Sequence, residues 1–308
     1  MPHQQTPGAA TGTRAFTFSL LALSNLFWAG NWVTGRALRD AFDPITLNFW
    51  RWLIAALVLA PFAWPALAGR RDAIRRSAGL LALLALTGVV LFQSLVYLGL
   101  RTTTTVNAVL LNSSAPLFML LCSWTIERER GTRRQITGML ISLAGILVIL
   151  SRGEFGNLLQ LQVHSGDAWI LLAMPAWGVY SVLLKRRRAE LGGVMFLFLI
   201  SVMGVLLLAP AFALVALHTP PRWPTPGEAT GVLYVALAAS VGAFLCWNRG
   251  VAIVGANAAG FTLHLLPAFG TVLAMIFLGE TFQAFHAAGI ATILLGVIVA
   301  TRATRAPD

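Results

Sequence analysis

Residues 116–145 read PLFMLLCSWTIERERGTRRQITGMLISLAG, and residues 267–296 read PAFGTVLAMIFLGETFQAFHAAGIATILLG. At an offset of 151 positions, a proline, a phenylalanine, a glutamate and two glycines of the first stretch recur in the second without a gap. The matched pairs are Pro116 with Pro267, Phe118 with Phe269, Glu129 with Glu280, Gly138 with Gly289 and Gly145 with Gly296, and Gly99 with Gly250 continues the register upstream. Because apolar composition alone rarely matches proline and glycine, this register indicates an internal duplication.

The chain around these stretches is too apolar for an ordinary soluble protein. Of its 308 residues, 57% are hydrophobic and 11% are charged, whereas a soluble protein carries about 25% charged residues. We therefore expect an all-α integral membrane protein, in which each helical span takes about 20 apolar residues. Apolar runs between charged or Pro/Gly-rich breaks predict ten spans, near Ala15–Gly35, Ile45–Ala68, Gly79–Leu100, Thr105–Ile126, Gln135–Leu150, Asp167–Leu184, Leu191–Leu217, Glu228–Gly250, Gly255–Leu278 and Phe282–Thr301.

The ten spans divide the chain into two halves of equal size. We expect a cytoplasmic tail at 1–14, a first five-helix repeat at 15–150, a connecting loop at 151–166, a second repeat at 167–301 and a cytoplasmic tail at 302–308. An odd number of spans in each repeat inserts the second copy upside down. Two inverted five-helix repeats form the architecture of many secondary transporters, which bind substrate near the midplane between the repeats.

The basic residues predict the orientation of the chain. The net charge is +11, and 16 of the 22 Lys and Arg residues fall on one side of the ten-span arrangement against five on the other. The positive-inside rule then places both termini in the cytoplasm of a multi-pass bacterial inner-membrane protein. No basic stripe with interleaved aromatic residues lies on a soluble helix, so we expect no nucleic-acid partner. The expected partners are the lipid bilayer and a small molecule, bound by a monomer or homodimer.

Arg51 is the remaining basic residue, near the predicted outer end of the second span. Trp50 and Trp52 flank it, and tryptophan is typical of the membrane interface. We interpret Arg51 as a side chain that snorkels to the interface, with a role in an outer gate as the alternative.

Three spans carry aromatic and polar residues at positions i, i+3 and i+4, which share one helix face. These sets are Trp28, Asn31 and Trp32, then Trp177, Tyr180 and Ser181, then Phe244, Trp247 and Asn248. Asparagine at membrane depth is costly against lipid, so these faces are predicted to line a cavity. The candidate substrate-binding residues are Trp28, Asn31, Gln93, Tyr97, Asn112, Ser113, Trp177, Tyr180, Phe244, Asn248 and His264. The alternative is that these residues serve helix packing and interhelical hydrogen bonds.

Pro116 and Pro267 lie inside the fourth and ninth predicted spans, at equivalent positions of the two repeats. Each proline removes a backbone donor and breaks the helix, so the pair predicts bending points for gating. His264, one turn before Pro267, is predicted either to bind a substrate carboxylate or a proton, or to bridge helices as a neutral imidazole. The small-residue stripes at Gly138 and Gly289 are expected to pack helices within each half or between subunits.

The positions of the acidic residues narrow the substrate class. All eleven lie in predicted loops or at span ends: Asp40, Asp43, Asp72, Glu127, Glu129, Glu154, Asp167, Glu190, Glu228, Glu280 and Asp308. Exporters of cationic drugs usually need a buried carboxylate, so a neutral or zwitterionic metabolite fits better. Aromatic rings with a few amides and hydroxyls suit an aromatic or large apolar amino acid. A carrier of a lipid or hydrophobic intermediate is the alternative, and it would need a lateral opening between spans.

Catalysis is not expected from this sequence. It contains no G-x-S-x-G elbow, no H-E-x-x-H motif and no cluster of His and Asp at membrane depth. We expect no cofactor, and Cys122 and Cys246 are too isolated to suggest a metal site.

The P-L-F run at Pro116 with Glu129, Gly138 and Gly145, which recurs as P-A-F at Pro267 with Glu280, Gly289 and Gly296, resembles the doubled signature of the drug/metabolite transporter superfamily, in its ten-span EamA-type branch. The tryptophan of the first span, the A-W-x-x-Y run at Trp177 to Tyr180 and the Cys246-Trp247-Asn248 run resemble bacterial aromatic amino-acid exporters of the YddG type. The resemblance implies an inner-membrane exporter of amino acids or related metabolites that works by alternating access.

Overall fold

The computed structural model describes residues 7–103, 105–160, 164–219, 222–278 and 283–301, which form helices and short connections without a β-strand. The α-helices are α1 Pro7–Ala37, α2 Pro44–Leu67, α3 Arg71–Leu84, α4 Phe92–Thr102, α5 Thr105–Asn112, α6 Ala115–Glu127, α7 Arg133–Leu150, α8 Ser165–Leu183, α9 Gly193–His218, α10 Pro226–Ala236, α11 Ala243–Val254, α12 Ala256–Gly260, α13 Leu265–Leu278 and α14 Ala284–Thr301. The all-α prediction is confirmed for these ranges.

Eight helical segments of the described ranges are long and apolar enough to cross a membrane, fewer than the ten spans expected. One of them runs from α2 through α4 without a break in helical structure, and α1 is not among the eight. Helix α1 is not apolar enough to be counted because it contains polar residues, which include the buried Asn25 and Asn31. Large apolar side chains cover the outside of the bundle, for example Phe62, Trp64 and Ile276, which are 73%, 70% and 67% exposed.

The helix bounds follow the predicted spans with two shifts. Helical structure begins eight residues early in the first and third spans, at Pro7 and Arg71. The connecting loop contains a 3₁₀ turn at Phe155–Gln160. The first six residues of the predicted N-terminal tail and the whole predicted C-terminal tail at 302–308 lie outside the described residues, as do Glu280 and the predicted start of the last span.

The helix contacts pair the two halves of the chain. The second and fifth helices of the first half, α2 and α7, pack against their counterparts α9 and α14. The other main contacts occur in exchanged pairs, because α4 packs on α8 while α11 packs on α1. Likewise α6 packs on α8, and α13 packs on α1. Each contact has a counterpart with the halves exchanged, as a pseudo-twofold relation between two repeats requires.

The small-residue stripes join the two halves to each other, rather than packing within each half or between subunits. A Cβ added to Gly138 would lie 2.5 Å from the carbonyl oxygen of Gly296, and one added to Gly145 would lie 2.7 Å from that of Gly289. The Ser142 hydroxyl donates to the carbonyl oxygen of Ile293 at 3.1 Å, and these residues are 151 positions apart. Glycine is needed here because two helix backbones meet directly.

Both halves also contain a π-helical segment, at Ala85–Leu91 and at Leu237–Gly242. Shifted by the repeat offset, the first covers 236–242 and so coincides with the second. π turns are rare and concentrate at functional sites, so their recurrence at equivalent positions is further evidence for the duplication.

The fourth and ninth spans are interrupted where the paired prolines predicted. Helix α5 ends at Asn112 and α6 starts at Ala115, with Pro116 in its first turn. In the second half, a 3₁₀ turn at Phe261–His264 separates α12 from α13, which has Pro267 in its first turn. Use of these breaks in gating stays a prediction.

Candidate functional site

An aromatic cluster forms where the first helices of the two halves meet. The ring of Trp28 in α1 lies 5.0 Å from that of Trp177 in α8, and these residues are 149 positions apart in the chain. Phe244 and Trp247 of α11 complete the cluster, with their ring centroids 5.7 Å and 5.3 Å from Trp28. The three helix faces predicted from the i, i+3, i+4 spacing therefore converge.

A small cavity of about 20 Å³ adjoins this cluster. That volume accommodates about one water molecule. Five of the predicted substrate-binding residues line it, namely Trp28, Asn31, Gln93, Asn112 and Trp177. The remaining lining residues are Trp32, Phe92, Val96, Leu263 and Leu266. The cavity thus combines aromatic walls with three amide side chains.

Arg51 corrects the sequence-based interpretation, because it does not snorkel to the interface. Its side chain is fully buried, and its Nη1 donates to the Tyr97 hydroxyl at 2.6 Å, to Gln93 Oε1 at 3.0 Å and to Asn31 Oδ1 at 3.2 Å. Nε donates to the Ser240 hydroxyl at 2.8 Å. Arg51 therefore joins α1, α2, α4 and the second π segment directly behind the cavity.

Each half contains one tyrosine–asparagine hydrogen bond, with the two residue types exchanged. Tyr97 of α4 donates to Asn31 of α1 at 3.0 Å, and Tyr180 of α8 donates to Asn248 of α11 at 2.8 Å. Asn31 and Tyr180 are 149 positions apart, and Tyr97 and Asn248 are 151 apart. The first and third helices of each half are thus joined by the same interaction at equivalent positions. Tyr97, Tyr180 and Asn248 support the cavity without lining it.

Three further predicted residues also lie outside the cavity lining. Phe244 packs in the aromatic cluster, 5.8 Å from Trp177 and 4.9 Å from Trp52 between ring centroids. His264 is fully buried, and its Nε2 lies 3.1 Å from the carbonyl oxygen of Ser113. The Ser113 hydroxyl donates to the carbonyl of Val109 at 2.9 Å. In this structure His264 bridges the two interrupted helices.

The π segments provide backbone acceptors to side chains from other helices. Trp28 Nε1 donates to the carbonyl oxygen of Ala239 in the second segment at 3.1 Å. Asn48 Nδ2 donates to that of Val89 in the first segment at 2.9 Å. Gly88, also in the first segment, allows the ring of Tyr180 to approach closely. The second π segment thus anchors Trp28 of the aromatic cluster. The first π segment leaves room for the ring of Tyr180 from the opposite half.

The ends of α6 and α8 are joined by ion pairs. Lys185 Nζ lies 2.8 Å from Glu127 and 2.7 Å from Glu129, and Arg186 Nε lies 2.7 Å from Glu127. Arginines flank Glu129 in the sequence, but Glu129 pairs with Lys185 across the helix pair. These groups are partly exposed, so the pairs fix the helix ends with a small energetic contribution.

A second, larger groove of about 570 Å³ opens between α2 and α10. Its walls are mainly apolar and include Leu47, Trp50, Ile54 and Leu233, with Arg222 at one end. It shares no lining residue with the aromatic cavity.

The described residues form a helical bundle with eight membrane-length apolar segments and a small cavity of aromatic and amide side chains between two related halves. This arrangement is typical of multi-pass membrane transporters. The chain belongs to the EamA-like transporter family, whose model matches residues 15–151 and 164–302. This match confirms the resemblance to the drug/metabolite transporter superfamily. It does not distinguish aromatic amino-acid exporters from other members.

Two relatives and one solved structure show the range of the similarity. An uncharacterized transporter of Archaeoglobus fulgidus is 27% identical over 92% of this chain and 97% of its own. A probable terminal-alkyne amino-acid exporter of Streptantibioticus cattleyicolor is 27% identical over 92% of this chain and 93% of its own. A crystal structure with a TM-score of 0.67 and 21% identity covers 92% of this chain and 95% of its own, and so shows the same fold.

Proposed function

We propose that this transporter exports amino acids with aromatic or large neutral side chains, or related metabolites, across the bacterial inner membrane by alternating access. The observation that carries the proposal is the cavity between the halves, where the rings of Trp28 and Trp177 face the amides of Asn31, Gln93 and Asn112. Rings accommodate an apolar side chain, and amides bind the polar end of the same molecule. A relative named as an amino-acid exporter supports this substrate class.

The helix lengths support ten membrane crossings. The segment Pro44–Thr102 has 59 residues, about 88 Å of helix at 1.5 Å per residue, against about 30 Å of bilayer core. This length supports two crossings, and α2 packs against α4 as two neighbouring crossings would. Helix α1, with 31 residues, adds the tenth crossing. The excess of basic residues on one side supports cytoplasmic termini.

Transport requires the cavity to enlarge. A volume of about 20 Å³ is too small for an amino acid, so the proposed cycle includes states in which this cavity is larger. The helix interruptions before Pro116 and Pro267 and the two π segments border the cavity region and provide places where helices bend. Rocking of one half against the other then opens the cavity to each side in turn.

The alternative is a carrier of another hydrophobic metabolite or a lipid-linked intermediate. The groove between α2 and α10 favours it, because a lipid chain needs a lateral opening. The separate lining of the groove and the aromatic cavity favours export of a small molecule instead.

Efflux from proteoliposomes tests the proposal. Vesicles that contain the purified transporter are loaded with labelled phenylalanine, tryptophan, leucine or a fluorescent phospholipid, and empty vesicles are the control. We expect protein-dependent efflux of the amino acids. If the correctly folded protein moves none of them, the proposed substrate class is wrong, and movement of the phospholipid alone establishes the alternative.

A further inference from the structure

The hydrogen bonds of the cavity side chains distinguish donors from acceptors, which the residue types alone do not. Resting on the proposed function, we propose that the cavity recognises the carboxylate of its substrate through N–H donors that Arg51 holds in place, and that the substrate's ammonium group is not required.

Arg51 determines which way two of the cavity amides face. A guanidinium group only donates hydrogen bonds, so the atoms of Asn31 and Gln93 that it contacts are the amide oxygens. Asn31 Oδ1 also accepts from the Tyr97 hydroxyl, which fixes its orientation a second time. The NH₂ groups of both amides are therefore the hydrogen-bonding groups left for a ligand in the cavity that these side chains line.

Two further lining residues have donors without a protein partner. Asn112 is 4% exposed and Trp177 is 2% exposed. Within the described ranges, Asn112 Nδ2 and Trp177 Nε1 have no hydrogen-bond acceptor. A buried donor without an acceptor is costly, so such donors at a cavity wall indicate a ligand that accepts hydrogen bonds. With Asn31 and Gln93, four side chains that carry N–H groups line one small volume.

The charge behind the cavity is positive, which is the sign that a carboxylate ligand requires. Among the described residues, no carboxylate lies within salt-bridge distance of Arg51, and its Nη2 has no hydrogen-bond partner. A buried cation surrounded by neutral acceptors leaves a positive potential in a medium of low dielectric. None of the ten described residues that line the cavity is acidic. An anion is therefore stabilised in the cavity, and an ammonium group is not.

This arrangement predicts a specificity that a site for the whole zwitterion would not show. A site that hydrogen-bonds one group of its ligand rejects analogues that lack it, because its buried polar groups are left unpaired. Aromatic carboxylates without an amine should therefore bind, and aromatic amines without a carboxylate should not.

Binding to the purified full-length transporter in detergent separates these cases. The probes are L-phenylalanine, 3-phenylpropionate and phenethylamine, followed by tryptophan fluorescence and by thermal stabilisation. We expect 3-phenylpropionate to bind within tenfold of phenylalanine, and phenethylamine to bind at least tenfold more weakly than either. Equal binding of phenethylamine, or binding of none of the three, overturns the carboxylate site. Binding of 3-phenylpropionate by a protein that exports no amino acid overturns the proposed function alone.

An isosteric variant tests the donors directly. Asn112→Asp replaces an unpartnered donor with a carboxylate, so we expect at least tenfold weaker binding of 3-phenylpropionate and tighter binding of phenethylamine. Asn257→Asp is the matched control, because Asn257 lies outside the cavity lining. Its Nδ2 donates to the Ser123 hydroxyl at 3.2 Å, and this hydroxyl donates to Glu129 at 3.3 Å and can turn towards a carboxylate at position 257. An Asn112→Asp protein that folds and retains the wild-type preference contradicts the proposal. If that variant does not fold, Asn112→Leu, which removes the donor without adding charge, must weaken 3-phenylpropionate binding for the proposal to stand.

Discussion

His264 and Ser113 are equivalent residues of the two halves, and they touch each other. His264 Nε2 lies 3.1 Å from the carbonyl oxygen of Ser113, 151 positions earlier in the chain. A carbonyl oxygen only accepts, so this ring nitrogen carries a proton and donates. Burial disfavours a second proton on a ring whose other nitrogen has no partner among the described residues. We therefore infer a neutral imidazole that joins the two interrupted helices.

A structural imidazole makes a prediction about coupling. His264→Gln places an amide N–H near the position of Nε2, so we expect it to keep both folding and transport within about threefold. His264→Leu leaves the Ser113 carbonyl unpaired and should cost about 1–3 kcal/mol of stability. Transport by His264→Gln is measured with and without a pH gradient. A dependence on the gradient that is present in the wild type and absent from this variant would show that His264 carries the proton.

The aromatic cluster predicts which substitutions abolish transport. Trp28 contacts the rings of Trp177, Phe244 and Trp247, and each aromatic contact contributes about 0.5–1.5 kcal/mol. We expect Trp28→Ala and Trp177→Ala to lower efflux at least tenfold. Trp64→Ala, at a side chain that is 70% exposed on the outside of the bundle, should leave efflux unchanged.

Size-exclusion chromatography in detergent distinguishes a lost site from a lost fold in these variants. Removal of a buried tryptophan leaves a cavity that costs about 3–5 kcal/mol. Trp28→Phe and Trp177→Phe retain most of the ring volume and should remain monodisperse with reduced efflux. Wild-type efflux by both phenylalanine variants would return these residues to a packing role.

The close packing of α7 against α14 predicts that the effect of an alanine substitution on stability depends on its position. At Gly145 an added Cβ meets the backbone of Gly289 and Ile293, so Gly145→Ala should destabilise the protein by about 1–3 kcal/mol. Gly270 in α13 has open space around the same position, and Gly270→Ala should be neutral or gain up to about 1 kcal/mol from helix propensity. Thermal unfolding in detergent compares the two variants. Similar midpoints for both would contradict the close backbone packing.

Single cysteines test the proposed orientation. Gly192 directly precedes α9, and Gly227 lies in the first turn of α10, at ends predicted to lie on opposite sides of the membrane. Both are exposed, with open space around an added side chain. In a background where Cys122 and Cys246 are replaced by serine, we expect a membrane-impermeant thiol reagent to label Gly227→Cys in intact cells. Gly192→Cys should react only after permeabilisation. The reverse pattern would invert the topology.

Local sequence patterns predicted the elements of this fold because apolar length and repeat register are local quantities. The helix bounds, the interruptions at Pro116 and Pro267 and the convergence of Trp28 with Trp177 all follow from spacing along the chain. The register at 151 positions even relates residues that touch, such as Ser142 and Ile293. The structure has eight membrane-length segments in its described residues rather than the ten predicted spans, because α1 contains polar residues and α2 continues into the next helix without a break.

Arg51 was misplaced because its environment is not local. Its tryptophan neighbours in the sequence are typical of an interface, whereas its partners Asn31, Gln93 and Ser240 come from three other helical segments. The available signal was the set of polar residues predicted at membrane depth in adjacent spans, which required a common partner. No feature of the sequence in either half predicts the π segments, and only the structure reveals that they recur.

The contact between Ser142 and Ile293 has a consequence for the proposed transport cycle. When two inverted repeats exchange conformations, a pair made of a residue and its own equivalent is mapped onto itself, so its geometry is the same in both end states. The contact of α7 with α14 at this pair is therefore expected to keep its length in both end states of the proposed cycle. A covalent cross-link across Ser142 and Ile293 should leave transport intact, whereas a link between non-equivalent residues whose separation changes during the cycle should block it.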